Sequence, residues 1–388
     1  MKWFCRCYRC GAHYDLVPGR YLCDVCSQQQ QVDRPLEGVL ELAWEGAVDP
    51  KSIPLPVESE WFAPIPVGKT PLWAPQRLRD EFDAPNLWLK DDTCNPSGSF
   101  KDRASWLVAA FAKKHGVKEI VLASTGNAAS SMAAVGAAAG LRIKVFLPAS
   151  APAAKRIQVL QYGAELIAVD GSYDQAFDLS LEYSTRTGSL SRNTAYNPLT
   201  IEGKKTVSFE IVQDLCEAGA GAPDHVFVPV GDGVILAGVY RGFEDLLKLG
   251  RIRKMPTLWA CQAEGSSAIA RALASGRDGA GAFATPISSQ TLADSIAVDV
   301  PRNGLHALSK LKKYGGQAVI VTDIEILSAQ KTLAAGSGLF AEPSSSAAFA
   351  GWLKVRQSIP AQENCVLLIT GSGLKDVKSA ALGLGLEP

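Results

Sequence analysis

Lys101 closes the run Asn95-Pro96-Ser97-Gly98-Ser99-Phe100-Lys101 and opens a helical pattern. A cation at a helix N-terminus opposes the helix dipole, so a purely structural reason for this lysine is weak. Partly desolvated beside helix N-termini, its amine loses proton affinity, can form a Schiff base and can then act as a general base. A single lysine is ordinarily a solvated surface charge, and only this setting argues otherwise.

Two further segments could hold anions. Ser124-Thr125-Gly126-Asn127 follows the apolar run 120–123 and opens an Ala-rich helical stretch that continues through Ala128. Gly231-Asp232-Gly233-Val234-Ile235 follows 226–230 in the same way. In each, backbone N–H groups at a helix start face outward with the dipole behind them. Either turn alone is a weak signal, because tight strand-to-helix turns use glycine for purely conformational reasons.

The third chemical signature is sulfur. Cys7-Tyr8-Arg9-Cys10 and Cys23-Asp24-Val25-Cys26 are separated by twelve residues, and five of the nine cysteines precede residue 27. Two Cys-x-x-Cys turns at this spacing can direct four thiolates at one tetrahedral Zn2+, closed to chemistry and therefore structural. Cys5 and His13 are alternative ligands, and an accidental Cys-rich tail is the bland alternative. Cys94, Cys216, Cys261 and Cys365 are isolated and read as core residues.

Elements must position these groups. Apolar runs at 87–90, 120–123, 143–147, 166–169, 226–230, 258–263, 318–321 and 366–369 read as strands, and 128–139, 154–162, 173–187, 204–217 and 324–335 as helices. Strands alternating with helices imply an α/β fold with mostly parallel sheets, whose ligands gather where strand C-termini meet helix N-termini. The proline-dotted tract from Gln28 through Pro66 reads as extended linker.

Composition narrows the function classes. With 388 residues, 47% hydrophobic and 20% charged, the chain has ample apolar material for two buried cores, and disorder is excluded. Thirty-nine basic residues balance 39 acidic ones, which argues against a nucleic-acid partner. No apolar run reaches the length of a membrane span. The first ten residues hold Cys and Arg where a signal peptide needs an unbroken apolar stretch, so a cytoplasmic location is expected.

The ordered motifs resemble those of the tryptophan-synthase-β-like (fold type II) pyridoxal-phosphate enzymes and, among them, the threonine synthases. They are Gly68-Lys69-Thr70-Pro71-Leu72, Asn95 to Arg103, Ser124 to Ala129, Glu202-Gly203-Lys204-Lys205-Thr206, Glu342-Pro343-Ser344-Ser345-Ser346-Ala347 and Thr370-Gly371-Ser372-Gly373-Leu374-Lys375-Asp376. The resemblance covers about residues 60 to 380, and some threonine synthases also carry a zinc-ribbon-like start. It implies a two-lobed fold: a ribbon at 1–30, a large cofactor-binding lobe at 31–105 and 200–388, and a smaller lobe at 106–199 that closes on the substrate. It makes Lys101 the Schiff-base lysine. Asn127 would bond the cofactor's phenolic oxygen, Gly231, Asp232, Gly233, Val234 and Ile235 would cradle its phosphate, and Thr370 would face its pyridine nitrogen. Ser124, Thr125 and Ala128 would hold the substrate α-carboxylate. The expected partners are a small amino-acid substrate and a second copy of the chain in a homodimer.

The pattern also departs from the family. Thr200 stands where an Arg for the substrate phosphate is expected, Ile235 where the glycine loop ends in Asn, and Ser372 where many members carry His. Threonine formation from O-phosphohomoserine and water, with Lys204 or Lys205 gripping the phosphate, is one implied activity. A sister ammonia-lyase or β-replacement reaction on threonine, serine or a β-substituted alanine is the second, and a non-catalytic pyridoxal-binding paralogue the third.

Overall fold

The computed structural model describes residues 1–149, 153–283 and 288–387. Its contacts divide the chain into two compact units. One comprises Met1–Gln30, Glu37–Gly68 and Asn95–Lys204, the other Gln31–Leu36, Lys69–Cys94 and the chain from Lys205 onward. Residues 37–68 and 95–105 thus pack with the first unit.

The first unit is built on a four-stranded, wholly parallel sheet in the order Glu165–Val169, Arg142–Pro148, Glu119–Ala123, Leu190–Ser191. Its central strand Glu119–Ala123 is buried along its whole length, as strands covered on both faces must be. Helices Lys101–Lys114 and Asn127–Ala139 pack together, and their small side chains permit a close approach at which Ser131 Oγ donates to Ser105 Oγ at 2.7 Å. A second, antiparallel sheet orders His13–Asp15, Lys2–Cys7 and Leu40–Glu45, with Lys2 opposite Glu45 and Cys7 opposite Leu40. Cys5, Leu40 and Leu42 share one apolar cluster with Leu107, Phe111 and Met132, so the cysteine-rich start is an integral part of this unit.

Strand Leu40–Glu45 corrects the reading of the proline-dotted tract as linker. Its alternation of Leu40, Leu42 and Trp44 has the period of a strand, but the surrounding prolines mask it in any composition-based reading. Further on, helix Gln76–Phe82 starts behind Pro75 and buries Leu78 against the bare backbone of Gly336 in the second unit.

The second unit is a six-stranded sheet ordered Gln317–Val321, Thr257–Ala263, His225–Pro229, Cys365–Ile369, Leu87–Asp91, Leu72–Trp73. Only the last strand runs antiparallel. Its core joins Leu87, Leu89, Phe227, Phe349, Trp352 and Leu367. Of the four isolated cysteines, Cys261 and Cys365 lie in this core, whereas Cys94 and Cys216 are exposed.

Candidate active site

In the first unit, the approach to Lys101 is a locked loop. Gly98, at φ 79°, takes the left-handed turn that closes Asn95 to Gly98, and its N–H donates to the Asn95 carbonyl at 2.7 Å. Asp102 is fully buried and accepts from both the Ser97 N–H (2.7 Å) and the Ser97 hydroxyl (2.5 Å). Asn95 Oδ1 in turn accepts from the Gly68 N–H at 3.0 Å. Lys101 emerges from this clasp as the first residue of its helix, half-buried.

The Ser124 to Asn127 turn is pegged from beneath. Asn193 Oδ1 accepts from the Ala123 N–H at 2.8 Å while its amide nitrogen donates to Ser180 Oγ at 2.7 Å. The Ser124 hydroxyl accepts from the Gly126 N–H at 3.2 Å. Ser124, Thr125 and Ala128 are half-buried, Asn127 is buried, and no side chain caps helix Asn127–Ala139. An uncapped helix start with fixed backbone donors suits a carboxylate.

The second unit carries the glycine loop between strand His225–Pro229 and helix Val234–Lys248, which also lacks a side-chain cap. Gly233 sits at φ 89°, and a Cβ there would come within 2.7 Å of the Ala307 Cβ. A Cβ on Gly231 would lie 3.0 Å from the Ile296 Cα. Buried Asn303 fixes the loop, donating from its backbone to the Asp232 carbonyl at 3.1 Å and from its side chain to the Gly233 carbonyl at 3.2 Å. Asp232 Oδ1 takes the Val234 N–H at 3.2 Å, and Ile235 follows half-buried in the first helical turn.

Thr370 follows strand Cys365–Ile369, the parallel neighbour of His225–Pro229 with Phe227 opposite Leu367. Thr370 and the glycine loop therefore leave the same edge of this sheet. The Glu342 to Ala347 motif explains itself here: Ser345 Oγ accepts from the Thr370 N–H at 2.6 Å, and the Glu342 N–H donates to the Gly371 carbonyl at 2.9 Å. A Cβ on residue 371 would meet Glu342 Oε1 at 2.5 Å, so a side chain after Thr370 would require the Glu342 carboxylate to move.

Each unit thus offers what a pyridoxal phosphate needs from it. The first supplies a terminal amine and an amide on helix starts, the second a glycine cradle with no room for side chains and a clamped hydroxyl. The donor set fits the cofactor.

The cations expected to grip a substrate phosphate are engaged elsewhere. Thr200 is buried and donates its hydroxyl to the Asn197 carbonyl at 2.7 Å. Lys204 Nζ, fully buried, donates to the Thr200 carbonyl at 2.7 Å. Lys205, equally buried, pairs with Asp245 at 2.7 Å within the second unit. Both lysines hold the Glu-Gly-Lys-Lys-Thr segment in place.

The sulfur atoms of Cys7, Cys10, Cys23 and Cys26 lie within 4.8 Å of one another. Four thiolates about 2.3 Å from one tetrahedral Zn2+ stand roughly 3.8 Å apart, so the cluster has the size of such a site. Cys5 is buried in the core and His13 is exposed, and neither belongs to the cluster. Gly38 sits at φ 73°, and a Cβ there would come within 2.9 Å of the Ser27 nitrogen in the second cysteine turn. Burial raises the Cys23 thiol, but the N–H groups of Cys26 and Val25 and the hydroxyl of Tyr14 outweigh it and bring Cys23 down to about 6.

Sequence reasoning missed the supporting residues Asp102, Asn193 and Asn303. Asp102 lies inside a motif and was visible; the two asparagines act across 70 residues of chain each. Nothing local marks them.

Residues 64–371 match the model of the pyridoxal-phosphate dependent enzymes. Threonine synthases of Methanosarcina acetivorans and Methanocaldococcus jannaschii are each 33% identical, covering 96% and 99% of this chain and 92% and 95% of the relatives. That of Synechocystis is 35% identical over 88% of the chain and 86% of its own length. Among solved structures, the processed form of threonine deaminase isoform 2 from Solanum lycopersicum has a TM-score of 0.68 at 23% identity, over 82% of this chain and 88% of its own. The diaminopropionate ammonia lyase of Escherichia coli has a TM-score of 0.69 at 16% identity, over 84% and 89%. These neighbours share the fold, and the match over most of the sequence carries the assignment: the chain belongs to the pyridoxal-phosphate dependent enzyme family.

Proposed function

We propose that the protein is a pyridoxal-phosphate-dependent carbon–oxygen lyase that converts O-phosphohomoserine and water to threonine and phosphate. The observation that carries this reading is similarity to threonine synthases over nearly the whole of both chains. The locked loop before Lys101, the uncapped helix start at Asn127 and the glycine loop before Val234 supply groups of the right chemistry.

When bound, pyridoxal phosphate supplies an electron sink that acidifies the C–H bonds next to the substrate amine. Lys101 would hold the cofactor through its amine, and the same amine, once free, would take the proton from the substrate Cα. Ser124, Thr125 and Ala128 hold the α-carboxylate against the helix dipole. Asn127 would donate to the phenolic oxygen, and the glycine loop Gly231, Asp232, Gly233, Val234 and Ile235 would cradle the cofactor phosphate through its free N–H groups. A hydroxyl such as that of Thr370 facing the pyridine nitrogen would not stabilise a full positive charge there, which would favour elimination and replacement over transamination. In the balanced reaction a proton leaves Cβ and the Cγ–O bond breaks, so that phosphate departs with its ester oxygen; Cγ gains a proton, water supplies the hydroxyl at Cβ and its remaining proton goes to the phosphate, and the proton taken from Cα is returned there.

A second reading, an ammonia-lyase acting on threonine or serine, is favoured by one observation. Thr200, Lys204 and Lys205 are all buried and bonded within the protein. Phosphate and 2-oxo acid release, measured separately for O-phosphohomoserine, threonine and serine, divides the two. Lys101→Ala should abolish the active reaction with the melting temperature unchanged, and borohydride reduction should label Lys101 in the parent. Label on another lysine refutes the assignment.

We further read Cys7, Cys10, Cys23 and Cys26 as the ligands of one structural Zn2+. The same reading makes the protein a cytoplasmic homodimer acting on a small amino acid without nucleic acid. Among the described residues no helix is long and apolar enough to cross a membrane.

A further inference from the structure

Four thiolates outweigh the charge of one Zn2+, so the hydrogen-bond donors around the sulfurs help decide how firmly such a centre holds its metal. The arginines beside the two cysteine turns are each engaged by an acid. Arg9, inside the first turn, pairs with Glu37 at 2.6 Å, and Arg20, just ahead of the second, pairs with Asp24 at 2.6 Å. Hydrogen bonds to the sulfurs remain.

Cys23 receives two of them. The Cys26 N–H donates to its sulfur at 3.4 Å from within the turn, and Tyr14 Oη lies 3.2 Å from the same sulfur. The direction of the second bond follows from the other neighbour of the phenol oxygen. Asp24 donates its backbone N–H to Tyr14 Oη at 3.1 Å, so the oxygen is already an acceptor there and its single proton is left for the sulfur. A metal ligand must be a thiolate, with no proton of its own to give, so the hydroxyl is the donor. A donor facing a charged acceptor makes one of the stronger hydrogen bonds.

Local structure puts the hydroxyl there. Tyr14 lies in strand His13–Asp15, opposite Cys5 in the antiparallel pair with Lys2–Cys7. Side chains alternate along a strand and opposed residues share a face, so Cys5, Cys7 and Tyr14 leave the sheet on the same side. The Tyr14 ring packs against the apolar cluster that contains Cys5, Cys7, Cys23 and Cys26. The Arg20 guanidinium stands 4.7 Å from the ring centroid, and its bond to Asp24 ties it to the residue whose N–H the hydroxyl accepts. Packing, a cation and a backbone bond together fix where the hydroxyl points.

We propose that Tyr14 is a positioning residue of the zinc site: its hydroxyl donates to the Cys23 thiolate, orients that ligand and draws off part of its charge, and so tightens the hold on Zn2+. The proposal rests on the reading of Cys7, Cys10, Cys23 and Cys26 as the ligands of one Zn2+. The proton of the phenol, not the bulk of its ring, is the active property of residue 14.

The test uses the full chain and two variants. Tyr14→Phe removes the hydroxyl and keeps the ring. Tyr21→Phe removes a hydroxyl of the same unit that accepts from the Ser191 N–H at 2.8 Å, and controls for a general loosening. Competition with a chromogenic chelator should show the zinc dissociation constant raised about ten- to hundredfold in Tyr14→Phe, the usual cost of losing a partner that orients a ligand, and unchanged in Tyr21→Phe. With Co2+ in place of Zn2+, the sulfur-to-metal charge-transfer band of Tyr14→Phe should move to longer wavelength, because a sulfur relieved of its donor gives up an electron more easily. A purely structural role for the ring would leave that band in place. A parental dissociation constant or a parental band position in Tyr14→Phe overturns the role and leaves the zinc site standing. So does an equal loss of zinc affinity in Tyr21→Phe. A parent that binds no zinc, or zinc retained when Cys7→Ser and Cys10→Ser are combined, overturns the site and this role together.

Discussion

Gly203 offers the sharpest test of how this fold holds Lys101. It follows helix Leu199–Glu202 with helical dihedrals, φ −61° and ψ −29°, so alanine there meets no backbone penalty. Reduced freedom of the unfolded chain would even favour Gly203→Ala by about 0.5 to 1 kcal/mol. Against this, a Cβ at 203 would stand 2.4 Å from the Arg103 carbonyl oxygen and 2.9 Å from the Ala104 Cα. Reaching an ordinary contact of 3.4 Å requires the two segments to separate by about 1 Å. Both neighbours are backbone, so no side-chain rotation relieves the clash, and the cost belongs at the upper end of the roughly 1 to 3 kcal/mol of an overpacked core. The net expectation is destabilisation by about 2 kcal/mol. Because Arg103 lies two residues beyond Lys101, the displacement also disturbs the lysine, and kcat should fall more than the stability loss alone explains. Urea unfolding at fixed cofactor concentration gives the first quantity and steady-state kinetics the second. A Gly203→Ala protein as stable and as active as the parent would show that the Glu-Gly-Lys-Lys-Thr segment does not set the position of the Lys101 helix.

Three other outcomes follow from the same geometry. Metal analysis should find about one zinc per chain, and Cys7→Ser combined with Cys10→Ser should remove it and lower the melting temperature, since metal binding at such sites is folding energy; zinc retained by that double variant contradicts the ligand set. Asp102→Ala leaves the buried Ser97 donors without their acceptor at a cost on the order of 3 kcal/mol, which should appear as a lower urea midpoint and a lower kcat under saturating cofactor. Asn303→Ala frees the Gly233 carbonyl while the backbone N–H of residue 303 keeps its bond to the Asp232 carbonyl, and should weaken cofactor binding up to about tenfold with substrate affinity little changed, as measured by cofactor titration.

The longer strands of the two mostly parallel sheets were legible as apolar runs, whereas the two-residue strands Leu72–Trp73 and Leu190–Ser191 were too short to read. Runs read at 87–90, 226–230 and 366–369 appear as Leu87–Asp91, His225–Pro229 and Cys365–Ile369. Helix Tyr173–Thr187 was bounded correctly at both ends, where Ser172 builds a capping box and Gly188 takes the left-handed cap. Strand Leu40–Glu45 was hidden because its partner, Lys2–Cys7, lies far upstream and its flanks are proline-rich. The fate of Lys205 was illegible for a related reason: its counter-ion Asp245 lies forty residues away on another helix. A pattern of residue types can nominate a lysine for a ligand, but only the packed structure decides whether an acid within the protein has already claimed it.

The central claim is a carbon–oxygen lyase, and oxygen isotopes address it without reference to any variant. In water enriched in 18O, the parent enzyme acting on O-phosphohomoserine should yield threonine labelled in its hydroxyl and phosphate released without label, because the Cγ–O bond breaks and water adds at Cβ. Mass spectrometry of both products reads this in one reaction. Label in the phosphate with homoserine as the co-product would mean that the P–O bond breaks instead, and the assignment of a pyridoxal-phosphate-dependent lyase acting on this substrate would fall.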